Sequence, residues 1–130
     1  MALVLCTGSD EPLMKTRQLI LERAGHTVVT AMDQRLLEGA CQNDQFDVAV
    51  IGQDTVPQEK LRIASVIRQH CPTAKILELH AVSPGKVIKD ADSWLEVLTS
   101  GPNELAERVA TLARSVEEDA SKLDDNPSPL

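Results

Sequence analysis

Three acidic side chains are separated by two to four residues from the ends of two short apolar runs, and carboxylates can take part in chemistry. Asp10 and Glu11 follow the run 2–6, and Asp54 follows the run 48–51. Carboxylate oxygens are the ligands that hard divalent cations such as Mg²⁺ prefer. Acidic residues also suit the first turn of a helix, where backbone N–H groups lack partners, and Asp is common in turns. The three residues are therefore candidates for a metal site, with helix start and turn as the competing structural roles.

The elements that must position these residues alternate along the chain. Continuous apolar runs such as 48–51 are typical of strands covered on both faces, as in a parallel sheet. The stretches between them place apolar residues at helical spacing and are bounded by capping residues such as Asp10, Gly25 and Pro102. The predicted strands are 2–6, 27–31, 48–51, 76–79 and 94–98. The predicted helices are about 11–24, 33 to 39–42, 57–70 and 102–116.

This alternation predicts a doubly wound α/β fold, in which a five-stranded parallel sheet lies between two helical layers. In such three-layer sandwiches, ligands lie at the carboxyl ends of the strands. Here those ends are the segments 7–11, 52–56, 80–83 and 98–101. The residues that are candidates for a chemical role are therefore expected at one edge of the sheet.

The loop "CTGSD" after the first strand also suits a second kind of site. Small polar residues before a helix can cradle an anion, such as the phosphate of FMN in a flavodoxin-like fold. Asp10 and Glu11 oppose an anion at that position, and the chain has no Tyr and only one Trp to stack on a flavin ring. A flavodoxin-like binder of an anion or cofactor stays as an alternative.

Three stretches of the sequence resemble response-regulator receiver domains, the CheY-like family. "SDEPLMKTRQLILERAGHTVVTAMD" resembles the first loop, first helix and second strand of that family. "FDVAVIGQDTVP" resembles the strand that carries the phosphoacceptor, and "GPNELAERVATLAR" resembles the final helix. The resemblance covers about residues 2–116 and implies a receiver-like version of the doubly wound sandwich.

The resemblance also implies a phosphorylation pocket, from which this sequence departs. The family uses two first-loop acids for Mg²⁺, an acceptor Asp, a hydroxyl and a Lys. The acceptor position falls on Gly52 or Gln53, neither of which is a nucleophile, and Asp54 is the substitute. The other positions of this degenerate pocket are occupied by Ser9, Asp10, Glu11, His80 and Leu98.

The sequence therefore predicts a stand-alone, degenerate receiver-like signalling module that is not an enzyme. It would act through protein–protein contacts, without phosphotransfer and without a cofactor. The alternative is an atypical response regulator in which Asp54 accepts a phosphoryl group from a histidine kinase with Mg²⁺. The expected partner is a histidine kinase or another signalling protein.

Composition excludes other classes of function. A formal charge of −7 and only two aromatic residues disfavour binding to nucleic acid. No apolar run reaches membrane-spanning length and the first residues lack a basic signal region, so we expect a cytoplasmic protein without membrane contact. Cys6, Cys41 and Cys71 are widely spaced, which favours three reduced thiols.

A short connection separates the last two predicted strands. Only twelve residues, 82–93, lie between Ala81 and Trp94, so we expect the fourth crossover helix to be short or missing. The uncovered face would offer an interface to a partner or a second copy, formed by Ile76, Glu78, Trp94 and Glu96. The competing interpretation is that residues 86–92 fold over these strands and Trp94 fills the core.

The final residues have a different composition. From 117 to 130 the sequence contains five acids, one Lys and two prolines, and the helical periodicity ends. This composition is typical of disorder. We therefore predict a receiver-like domain over 1–116 and an acidic, disordered tail over 117–130.

Overall fold

The computed structural model describes residues 2–97 and 100–124, which form five parallel strands and four helices. The strands are β1 (Leu3–Thr7), β2 (Thr27–Ala31), β3 (Val48–Ile51), β4 (Lys75–His80) and β5 (Ser93–Glu96). The helices are α1 (Glu11–Arg23), α2 (Gln34–Asn43), α3 (Pro57–His70) and α4 (Pro102–Asp124). The strand order is β2-β1-β3-β4-β5, with every pair parallel. The predicted doubly wound α/β fold is confirmed.

Capping residues set where the first two helices begin. The Asp10 carboxylate accepts a hydrogen bond from the Leu13 N–H at 3.1 Å, and the Asp33 carboxylate accepts one from the Leu36 N–H at 2.8 Å. Each bond satisfies a backbone donor that the first helical turn leaves without a partner. Gly25 follows α1 with φ of +95°, a conformation that favours glycine. The sequence predicted these ends because the caps are local.

Apolar side chains on the two sides of the sheet form two cores. On the α1 and α4 side, Val50 and Leu79 pack with Val109, and on the α2 and α3 side, Ile51 packs with Ile67. Both faces of the central strands are therefore buried, which explains their continuous apolar runs. Since Ile76 belongs to the second core, the alternation along β4 turns Glu78 and His80 toward the same side.

The connection from β4 to β5 contains no helix, which agrees with the prediction that the fourth crossover helix is short or missing. This segment, residues 81–92, follows the sheet as an irregular strap, with Ile88 and Ala91 buried against the second core. We call it the 81–92 strap. It occupies the side of the sheet where a crossover helix would otherwise lie.

The end of the chain differs from the expectation. Helix α4 continues to Asp124, eight residues beyond the predicted end at 116. Helical backbone thus extends into the segment that was assigned to the tail, because hydrogen bonding along a helix can continue after its apolar periodicity has stopped. Residues 125–130 and Leu98 lie outside the described residues. The division into domain and tail stays a prediction.

The expectation of three reduced thiols is wrong for two of them. Cys41 in the last turn of α2 and Cys71 at the end of α3 form a disulfide, with 5.4 Å between their Cα atoms. The packing of α2 beside α3 brings the two cysteines together. The sequence did not reveal the pair, because the cysteines are 30 residues apart and belong to no recognisable motif. Cys6 is free, and burial raises the pKa of its thiol to about 12 although the Arg17 charge lowers it. At neutral pH the Cys6 thiol is therefore protonated.

Among residues 2–97 and 100–124, no helix combines the length and the apolar character that crossing a membrane requires.

Candidate functional site

The loops after β1 and β3 meet at the carboxyl edge of the sheet. The last residues of the two strands, Thr7 and Ile51, are register partners. The Gly52 N–H then donates to the Thr7 carbonyl at 3.0 Å. This bond continues the strand pairing by one residue and places the 52–56 loop against Gly8 and Ser9.

The 52–56 loop folds back and brings the Asp54 carboxylate between two glycines. A Cβ atom on Gly52 would overlap both the Asp54 carboxylate and the Arg17 guanidinium. A Cβ atom on Gly8 would lie 2.9 Å from Asp54 Oδ2, which is closer than real side chains approach. Glycine at both positions thus provides the space that the carboxylate fills.

The Asp54 carboxylate accepts hydrogen bonds from both backbone and side chains. The N–H groups of Ser9 and Asp10 each donate to Oδ2 at 2.6 Å. Arg17 Nη2 lies 3.1 Å from Oδ1, and the Asp54 side chain is only 11% exposed. The Ser9 hydroxyl also donates to the Asp54 carbonyl at 2.9 Å. The negative charge of Asp54 is therefore held at the start of α1, where the helix dipole favours an anion.

These contacts keep Asp54 ionised. Burial by itself raises the pKa of Asp54, but the Asp10 N–H, the Arg17 charge and the Ser9 N–H together lower it below its ordinary value. Both carboxylate oxygens are engaged inside the protein. The Asp54 carboxylate is therefore held by contacts within the protein.

The three acidic candidates for a metal site have separate contacts. The Asp10 carboxylate caps α1, Glu11 is exposed in the first turn, and Asp54 pairs with Arg17. Within the part of the chain that the structure describes, no group of three His, Cys, Asp or Glu residues could hold a metal ion. The suggested ligand set of Asp10, Glu11 and Asp54 is thus not brought together.

Arg17 is the site residue that the sequence analysis missed. It lies on the buried face of α1, three residues after Met14 and four before Leu21, and only 5% of it is exposed. Its Nη2 donates to the Gln53 side-chain oxygen as well as to Asp54. A basic residue on an apolar helical face was the available signal, because a buried charge requires a partner.

A second buried ion pair lies where the crossover helix is missing. Lys60 Nζ on α3 is 2.8 Å from Glu78 Oε2 and donates to the Leu79 carbonyl at 2.8 Å. Glu78 is fully buried and also accepts from the N–H groups of Val87 and Ile88, at 3.0 and 2.8 Å. The Glu78 carboxylate therefore fastens the 81–92 strap to the sheet.

This arrangement corrects the predicted open interface. Ile76 is 1% exposed and Glu78 is fully buried, so neither can line a free surface. Trp94 is half-buried, packs against the second core, and donates from Nε1 to the Ile88 carbonyl at 2.9 Å. Glu96 is also half-buried. The strap covers the face because Lys60 and the strap N–H groups compensate the buried Glu78 charge.

The hydroxyl position of the suggested pocket is occupied by a buried imidazole. His80 is 8% exposed, and its Nδ1 lies 3.0 Å from the Ala81 carbonyl. A cleft of about 220 Å³ separates the 52–56 loop from the 81–92 strap. Thr55 lines this cleft, and its buried hydroxyl has no partner among the described atoms. Leu98, the residue at the Lys position, is not among the described residues.

Comparisons with known proteins identify the fold. No family model matches the chain, and no curated protein matches it. A Francisella response-regulator receiver domain superposes with a TM-score of 0.72 at 18% identity, covering 88% of this chain and 98% of that chain. A response regulator from Thermotoga maritima gives 0.68 at 18% identity, over 86% and 97% of the two chains.

The chemotaxis response regulator CheY4 of Vibrio cholerae is similar to the same degree. Its TM-score is 0.70 at 22% identity, with 86% of this chain and 98% of that chain covered. The likeness runs over nearly the full length of each of these structures. The chain therefore has the CheY-like receiver fold.

Proposed function

We propose that this chain is a receiver-like signalling module that acts through protein–protein contacts and takes no phosphoryl group of its own. The receiver fold supports a place in two-component signalling. The sequestered Asp54 carboxylate is the observation that carries the proposal, because the nearest carboxylate to the acceptor position is already bound by Ser9, Asp10 and Arg17. We propose no enzymatic activity for the chain.

The partner is proposed to be a protein, either a histidine kinase or another signalling component. The net charge of −7 opposes nucleic acid as a partner. A homodimer through the edge of β5, the last strand in the order of the sheet, is the second arrangement that we propose. We also propose a cytoplasmic location. The Cys41–Cys71 disulfide is an observation against this location, because disulfides are rare in reducing compartments.

The test of the proposal is incubation with Mg²⁺ and acetyl phosphate, followed by intact-mass measurement. We expect the mass of the wild-type chain to stay unchanged, because both Asp54 oxygens are engaged. An Asp54→Asn variant is the control. A phosphoryl adduct on the wild type that disappears in the variant would establish the alternative, a phosphorylatable regulator.

A capture experiment tests the partner half of the proposal. The folded chain is used as bait with and without acetyl phosphate in the buffer. If recognition is independent of phosphorylation, the amount of each captured signalling protein should be equal in the two arms. Capture that depends on the phosphodonor and on Asp54 would contradict the proposal.

A further inference from the structure

The start of α1 presents a group of hydrogen-bond donors of the kind that binds oxyanions. Three donors converge there: the Ser9 N–H, the Asp10 N–H and the Arg17 guanidinium, which we call the α1 cradle. Helix α1 has 13 residues, so its first turn carries a substantial partial positive charge. The Asp10 carboxylate is turned away to cap the Leu13 N–H. The donors therefore face the interior of the loop.

The present occupant leaves one donor of the α1 cradle unused. Asp54 supplies two oxygens, of which Oδ2 accepts from the two backbone N–H groups and Oδ1 accepts from Arg17 Nη2. Arg17 Nη1 is buried and has no hydrogen-bond partner among the described residues. It lies against Gly52, next to the Asp54 carboxylate. A buried donor without an acceptor is costly, and a tetrahedral oxyanion has additional oxygens that could supply one.

Two glycines and the 52–56 loop determine how much space there is in the α1 cradle. Gly8 and Gly52 border the carboxylate, and any side chain at either position would enter its volume. Asp54 belongs to the 52–56 loop, which has no regular secondary structure and leads directly into α3. Outward movement of this loop would vacate the volume without displacing a strand.

We propose that the α1 cradle is a binding site for a small tetrahedral oxyanion such as phosphate, which Asp54 occupies as a tethered competitor. The inference rests on the proposed function, in which Asp54 carries no phosphoryl group. An external oxyanion enters only when Asp54 leaves, so its apparent affinity is reduced by the fraction of time that the site is open. Binding would then move the 52–56 loop and the start of α3.

The experiment removes the competitor and adds inorganic phosphate. In an Asp54→Ala variant, the ¹H–¹⁵N signals of Ser9 and Asp10 should shift with phosphate in a saturable way, compared with chloride at equal ionic strength. Wild-type protein should require at least about tenfold more phosphate, because Asp54 competes. Added phosphate should also raise the melting temperature of the variant more than that of the wild type.

Asp47→Ala is the matched control. The Asp47 carboxylate also accepts a backbone N–H, that of Leu3 at 2.9 Å, but it lies at the opposite end of the sheet. This variant should respond to phosphate as the wild type does. If Asp54→Ala does not fold, Asp54→Ser, whose shorter side chain also vacates the carboxylate volume, is titrated in the same way.

Two results would overturn the inference. One is a folded Asp54 variant in which phosphate produces no more change at Ser9 and Asp10 than chloride does. The other is equal phosphate affinity of wild type and variant, which would mean that Asp54 does not compete. Neither result involves covalent phosphorylation, so each can be told apart from failure of the proposed function, which appears as a mass increase on the wild type.

Discussion

At the scale of single residues, Asp54 is the charge around which the loops after β1 and β3 meet. Its carboxylate is paired with Arg17 and accepts hydrogen bonds from two backbone N–H groups. Removing one member of a buried ion pair leaves the other charge without compensation. The stability of the protein should therefore depend on Asp54 being ionised.

The first prediction concerns the pH dependence of that stabilisation. The folded-state pKa of Asp54 is below its ordinary value of 3.8, so the contribution is present above that value and is lost as the pH falls through the lower folded pKa. Asp54→Asn should lower the free energy of unfolding at pH 7. The difference between wild type and variant should shrink below about pH 4, as measured by urea unfolding across the pH range. A difference that does not change with pH would contradict the assignment.

The second prediction concerns Gly52. Gly52→Ala should cost about 1–3 kcal/mol of stability, since its Cβ atom would overlap the Arg17 and Asp54 side chains. Gly39→Ala in α2 is the control, because a Cβ atom there meets nothing within 4 Å. That change should stabilise the chain by roughly 0.5–1 kcal/mol. Urea unfolding of the two variants measures both effects, and equal effects would contradict the described geometry.

At the scale of elements, the 81–92 strap takes over the covering role of a crossover helix. Its polar backbone needs partners because it lies partly buried without helical hydrogen bonds of its own. Glu78 supplies acceptors to Val87 and Ile88, and Asp92 accepts from the Ile76 N–H at 2.7 Å. Lys60 in turn neutralises Glu78. One ion pair thus links α3, β4 and the strap.

The third prediction uses two ion pairs of the same helix. Lys60→Met leaves the fully buried Glu78 without its cation and should cost about 3–5 kcal/mol. Arg62→Met removes the partner of Glu59 in a pair whose side chains are 42% and 46% exposed, and should leave the free energy of unfolding nearly unchanged, because solvent screens an exposed pair. The measurement is the free energy of unfolding of each variant. Similar costs would mean that the Lys60–Glu78 pair is solvated.

At the scale of the whole molecule, the 81–92 strap covers one face of β4 and β5. This covering determines which surfaces remain for a partner. Trp94 packs on the second core and hydrogen-bonds the strap, while the Lys86 ammonium lies 4.8 Å from the centre of its ring. These contacts assign Trp94 mainly to stability. The carboxyl edge, the β5 edge and the outer faces of the helices are then the surfaces that stay available for recognition.

The fourth prediction separates a core role of Trp94 from an interface role. Trp94→Ala should cost about 3 kcal/mol, because packing and one hydrogen bond are lost. Leu61→Ala is the control, since Leu61 is 52% exposed and the change should stay within about 0.5 kcal/mol. Thermal unfolding and sedimentation velocity are measured together. Unchanged stability with weakened self-association would restore the interface interpretation.

The sequence by itself determined the elements and their class. The strands at 27–31 and 48–51 and the helix at 57–70 were predicted with the bounds that the structure has. A short or missing crossover helix was predicted as well, because only twelve residues separate Ala81 from Trp94. These features follow from local periodicity, caps and chain length, which do not require knowledge of distant contacts.

Only the tertiary structure decided which charged residues meet. Asp54 and Arg17 are 37 residues apart, and Lys60 and Glu78 are 18 apart, with no motif that joins either pair. The sequence predicted that Glu78 lies on an uncovered face of the sheet, but packing brought Lys60 of α3 and the 81–92 strap onto that residue. Likewise, α2 and α3 brought Cys41 to Cys71. Long-range pairing of this kind depends on how the helices pack on the sheet, and a single sequence does not record that packing.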